Sequence, residues 1–111
     1  MINVELSRCT DGTLVSCVAR GHSTLAAKGS DIVCAMVTAI LRTSATVLAD
    51  EAEDCLAVKA PEAGYLEFSL LDKDAFNKEH LVCAADFIQR GLELISEEYP
   101  EQLHLLVKTI E

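Results

Sequence analysis

Residues 32–48 constrain the fold more than any other stretch, because Ile32, Val33, Met36, Val37, Ala39, Ile40, Leu41, Val47 and Leu48 go nearly all the way round a helical projection. A helix of that kind is expected to be buried on several sides, so the rest of the chain must supply the layers that cover it. With 111 residues there is room for one domain, residues 1–111. At this size a chain hides about two thirds of its unfolded surface, enough to fold without a metal or a disulfide staple. A hydrophobic fraction of 50% excludes extended disorder. The uninterrupted apolar part, residues 32–41, is broken by Thr38 and falls short of the roughly 20 residues that span a bilayer. No transmembrane helix is expected from that count. Residues 1–5 lack a basic region and reach Glu5 at once, unlike a signal peptide, which predicts a cytoplasmic protein with no membrane partner.

The covering layer is legible as strands. Ile2, Val4 and Leu6 alternate with Asn3, Glu5 and Ser7, and residues 14–18 resume the pattern after Thr10-Asp11-Gly12. An Asp-Gly turn between two such runs predicts a hairpin. With Asp11 and Gly12 as a two-residue loop, facing residues sum to 23, so Cys9 faces Leu14 and Cys17 faces Leu6. Residues 23–29 are small and polar and connect the hairpin to a helix with Ser30 as its N-cap and Asp31 in its first turn. The acidic run 50–54 marks a solvated helix end or loop. Residues 56–58 and 65–70 read as a second hairpin around Pro61-Glu62-Ala63-Gly64, residues 74–98 as an amphipathic helix closed by Pro100, and residues 103–108 as a last strand. The expected fold class is α+β, a mostly antiparallel sheet packed by two helices in the order ββαββαβ.

Eighteen acidic against nine basic residues give a formal charge of −9 without any basic cluster, which excludes direct nucleic-acid binding and leaves a basic protein as a suitable partner. Five cysteines, Cys9, Cys17, Cys34, Cys55 and Cys83, form no C-x-x-C pair, so neither a disulfide framework nor a zinc site is indicated and no metal or cofactor is expected. Four of them read as small apolar residues. Cys34 differs by position: it falls near the start of the first long helix, where the dipole and free N–H groups favour a thiolate. His22 ends the second strand, and the loop after it returns the chain to that helix, so it can approach Cys34. A Cys and a His on separate elements suit acyl transfer, one attacking and the other moving the proton. On residue types alone the pair reads more readily as a buried thiol and a surface imidazole. His80 and His104 read as surface residues. The 21–29 segment reads as a lid over bound peptide or as a plain connector.

The stretch Gly21-His22-Ser23 followed by Gly29-Ser30-Asp31-Ile32-Val33-Cys34-Ala35-Met36-Val37-Thr38 resembles the signature of the ribosomal-processing cysteine proteases, and the resemblance covers essentially the whole chain. It implies Cys34 as nucleophile, His22 as general base and then acid, and Asp31 in a supporting position. Gly21, Ser23, Gly29, Ser30 and Thr38 are the implied substrate-binding positions. A homodimer is also implied, as is a substrate: a large-subunit ribosomal protein precursor whose short N-terminal extension is removed after an aromatic residue. Ser23, Met36 and Thr38 stand where that family usually has Ala, Ala and Ser. An apolar excess with few aromatics points toward a homodimer independently of the resemblance. A non-enzymatic acidic dimer that holds a basic ribosomal protein is the competing reading. A thiol redox sensor lacks a resolving cysteine near Cys34.

Overall fold

The structure, a computed structural model, describes residues 1–21 and 30–111, with side chains for 1–21 and 32–111. Its sheet is built outward from the first hairpin, β1 (Ile2–Cys9) and β2 (Leu14–Arg20). Pairs from Asn3↔Arg20 to Ser7↔Ser16 sum to 23 as expected, and Leu6 faces Cys17. The turn itself departs from expectation. Gly12 N–H donates to the Cys9 carbonyl at 2.9 Å and Cys9 N–H to the Thr13 carbonyl at 2.8 Å, so the loop has three residues, with Gly12 at φ +89°. That is the turn-plus-glycine-bulge geometry open to Asp-Gly. The register then shifts between Ser7 and Arg8, and Leu14 faces Arg8 rather than the expected Cys9. Val15 is the extra residue that restores the sum of 23, and it lets Leu14 and Cys17, three apart, both point into the core.

Two side chains fasten this turn. The Asp11 carboxylate accepts from the Thr13 hydroxyl at 2.7 Å and the Thr13 N–H at 3.0 Å, and these bonds hold its pKa down at about 2. Arg8, its side chain only 15% exposed, donates to the Gly12 carbonyl, to Gln89 at 2.8 Å and to Asp86 at 2.6 Å.

β3 (Leu56–Lys59), β4 (Tyr65–Leu70) and β5 (Leu103–Ile110) complete a five-stranded sheet in the order β3-β4-β2-β1-β5. All neighbours are antiparallel except β1 and β5, which run parallel from Ile2↔Leu103 to Cys9↔Ile110. With α1 (Ser30–Ala52) and α2 (Lys78–Glu98) the order is ββαββαβ, an α+β fold with a mostly antiparallel sheet. Val33, Val37, Leu41, Ala45 and Leu48 of α1 and Leu81, Ala85, Ile88, Leu92 and Ile95 of α2 recur at helical spacing. They bury against Val4, Leu6, Cys17, Phe68 and Leu103 of the sheet.

The helices correct two expectations. Burial of α1 on several sides is not found: Ile32 and Val47 are 55% and 61% exposed, because sheet and α2 cover one side and the fold has no third layer. α2 begins at Lys78, not at 74, because Asp72 takes the Asp74 N–H to close a separate 3₁₀ turn (Lys73–Ala75) and Asn77 caps the helix by accepting from the His80 N–H. The acidic residues Asp50 and Glu51 stay helical. Glu51 also accepts from the Asn77 N–H and meets His80, tying the end of α1 to the start of α2. Because α1 continues past Leu41, the stretch Ile32–Cys55 is long and apolar enough by length and composition to cross a membrane, which the ten-residue count did not register. In this fold its apolar stripe lies on the sheet.

Candidate active site

At the end of the sheet where β1 begins and β2 ends, α1 and the β3–β4 turn enclose a cleft of about 470 Å³. One wall is α1, with Cys34, Val37, Thr38, Leu41 and Arg42; the other is the turn, from Ala60 to Leu66; Ile2, Ala19 and Gly21 lie between. Helical spacing produces the first wall. Val37 and Leu41 continue the core stripe, whereas Cys34, Thr38 and Arg42, four apart, form the neighbouring stripe at the rim.

Gly21 ties the β3–β4 wall to the end of β2. Its N–H donates to the Gly64 carbonyl at 2.9 Å, and it sits at φ +98°, where an added Cβ would lie 2.4 Å from the Met1 carbonyl oxygen. Only glycine fits there. The chain therefore leaves β2 in a fixed direction one residue before His22. Gly64 mirrors it at φ +83° on the opposite turn.

Cys34 is half-buried and is the one thiol lining the cleft among the described residues. It is the fifth residue of α1, so its side chain leans back over the first turn, whose N–H groups have no partner within the helix and carry the positive end of its dipole. That placement suits a nucleophile whose product oxygen needs donors. Cys17 is the contrast: it is fully buried under the sheet, and burial pushes its thiol up to about 12. Cys9, Cys55 and Cys83 lie away from the cleft, and Cys83 is exposed rather than apolar filling. Among the described residues no group of three His, Cys, Asp or Glu is placed to hold a metal ion.

Of the positions named from the sequence, the structure brings Gly21, Cys34 and Thr38 together in one cleft, Thr38 exposed one turn beyond the thiol. Ser30 is the first helical residue rather than the residue before the helix, and Asp31 follows it in the first turn. His22, Ser23 and Gly29, and with them the 21–29 lid reading beyond Gly21, lie outside the described residues, as do the side chains of Ser30 and Asp31. The sequence reading missed Arg42 and the whole β3–β4 wall. Arg42 carried a usable signal, the repeat of four from Cys34 through Thr38. The wall carried none, since its approach is set by strand pairing. Tyr65 on that wall donates to Glu67 at 2.5 Å, which raises its phenol above its ordinary 10, and the Arg20 guanidinium lies 5.9 Å from its ring centroid.

Solved structures share this architecture. The Staphylococcus aureus essential ribosomal processing protease Prp in complex with a substrate peptide superposes with a TM-score of 0.81 at 22% identity, covering 97% of this chain and all of that one. The same protease with a covalently linked product peptide gives 0.78 at 25% identity over the same shares. SMU.848 from Streptococcus mutans gives 0.78 at 23% identity, covering 99% of this chain and 96% of that one. No curated protein matches this chain. The model of the family described as cysteine protease Prp matches residues 1–104, from the first strand into the last, and the chain therefore belongs to the Prp family of cysteine proteases.

Proposed function

We propose that this protease removes the short N-terminal extension of a large-subunit ribosomal protein during ribosome assembly, working as a homodimer in the cytoplasm with its single domain carrying all the chemistry. The observation that carries the reading is Cys34 at the start of α1 in the wall of a cleft of about 470 Å³. Family membership supplies the reaction, and the substrate class comes from the S. aureus relatives, a ribosomal processing protease.

The Cys34 thiolate attacks the scissile carbonyl carbon, forming the S–C bond and a tetrahedral oxyanion. Free N–H groups of the first turn of α1 stabilise that oxygen, each donor contributing about 10²-fold or more. Protonated His22 gives its proton to the leaving amine as the C–N bond breaks. Water, deprotonated by His22, then hydrolyses the thioester and frees the thiol. Asp31 supports this pair from the same helical turn.

Intact mass spectrometry of the unprocessed ribosomal protein, incubated with wild type and with Cys34→Ala, tests substrate, reaction and nucleophile together. A single N-terminal truncation with the wild type alone is expected. A stable complex with both forms and no truncation would favour the acidic binding factor, for which the charge of −9 is suited. The dimer rests on a second groove of about 450 Å³ between α1 and α2, where Val47 and the 57%-exposed Phe87 offer apolar surface to a second copy. Sedimentation of a monomer at micromolar concentration would remove it.

A further inference from the structure

The chain has four arginines, and three are engaged by the protein itself: Arg8 by Asp86 and Gln89, Arg20 by the Tyr65 ring, and Arg90 by Glu93. The fourth, Arg42, is exposed on the rim of the cleft, and its guanidinium meets no carboxylate and no hydrogen-bond acceptor among the described residues. Among the described residues Arg42 is thus the one arginine whose guanidinium is left without a protein partner, in a chain with twice as many acidic as basic residues. Arg42 lies eight residues along α1 from Cys34, about 12 Å at the helical rise. An extended peptide covers that distance in about four residues.

We propose that Arg42 is a specificity-determining residue that selects a substrate peptide bearing an acidic side chain three or four residues from the scissile bond. The proposal rests on Cys34 being the nucleophile, since the register is counted from it. A guanidinium presents two parallel N–H donors that match a carboxylate, a fit that an ammonium or a neutral side chain does not provide. Selection is sharpened by the background: the acidic surface disfavours carboxylates elsewhere along the peptide, so one placed under Arg42 is accepted and others are not.

The test uses peptides spanning the N-terminal extension of the ribosomal protein, each with Asp or Ala at one position from four before to four after the scissile bond. With wild type, Asp at one third or fourth position is expected to raise kcat/KM over Ala by roughly three- to tenfold. In Arg42→Gln that ratio falls to about one, and in Arg42→Glu it inverts, Lys at the same position being preferred. Equal Asp-to-Ala ratios in wild type and Arg42→Gln, or a uniform loss across all peptides, would overturn the assignment. Binding of the same peptides to Cys34→Ala, read by fluorescence anisotropy, reports the selection without turnover. A charge preference there without cleavage by wild type would sink the protease mechanism while keeping the Arg42 site, whereas cleavage without a charge preference would do the reverse.

Discussion

The two hairpin turns of this sheet are used in opposite ways. The β1–β2 turn is closed by side chains: Asp11 holds Thr13, and Arg8 reaches from the Gly12 carbonyl to Asp86 and Gln89 on α2. The β3–β4 turn, with Ala60, Pro61, Glu62 and Ala63 all exposed, is held by backbone bonds, Tyr65 N–H to the Glu62 carbonyl at 3.3 Å and Gly21 N–H to the Gly64 carbonyl. The second turn thereby spends no side chain on its own closure, while the polar side chains of the first are consumed in holding sheet to helix. One end of the molecule is tied for stability and the other is left open for chemistry.

Gly21 is where that division is most easily broken, because it fastens the open end through backbone contacts alone. Gly21→Ala places a side chain at φ +98° and against the Met1 carbonyl, expected to cost about 2–4 kcal/mol in denaturant unfolding. The same change shifts the chain entering His22, and cleavage should fall by about 10²-fold even where the protein is fully folded. Wild-type cleavage by a folded Gly21→Ala protein would show that the exit from β2 does not position the site. Arg8→Ala tests the tied end alone: a loss of about 1–3 kcal/mol and a thermal midpoint lower by several degrees, with the cleavage rate at 25 °C unchanged. A matching loss of rate would mean that the two ends are coupled.

The smallest effect is in acid. Asp11 has a folded-state pKa of about 2 against an ordinary 3.8, so the stability it confers is present above the ordinary value and is lost as pH falls through 2. Glu51 and Glu93 are lowered in the same direction, by the Asn77 N–H and by Gln89 respectively. Unfolding midpoints measured from pH 5 to pH 2 should fall for wild type and fall less steeply for Asp11→Asn. Equal slopes would show that the turn is not held by this carboxylate.

These contrasts mark what could be read in advance. Alternation in residues 2–7 and 65–70 and the four-residue spacing of α2 fixed most elements, since burial of one face writes itself into the local pattern. The position of Cys34 near a helix start was equally local. The three-residue turn was not legible, because Asp-Gly serves two loop lengths and the bulge at Val15 conceals the difference from residue 16 onward. The exposure of Ile32 and Val47 was missed since the number of layers is a global property that no helical projection contains. Arg42 looked like any surface cation until the partners of the other three arginines could be seen.

The parallel pairing of β1 with β5 has a consequence in time. β1 begins at the cleft with Ile2, and its second neighbour is the last strand of the chain, about a hundred residues later. Closing so long a loop is slow, and during synthesis β1 waits with one edge unpaired. The floor of the cleft is flanked on both sides only after residues 103–110 have emerged and docked.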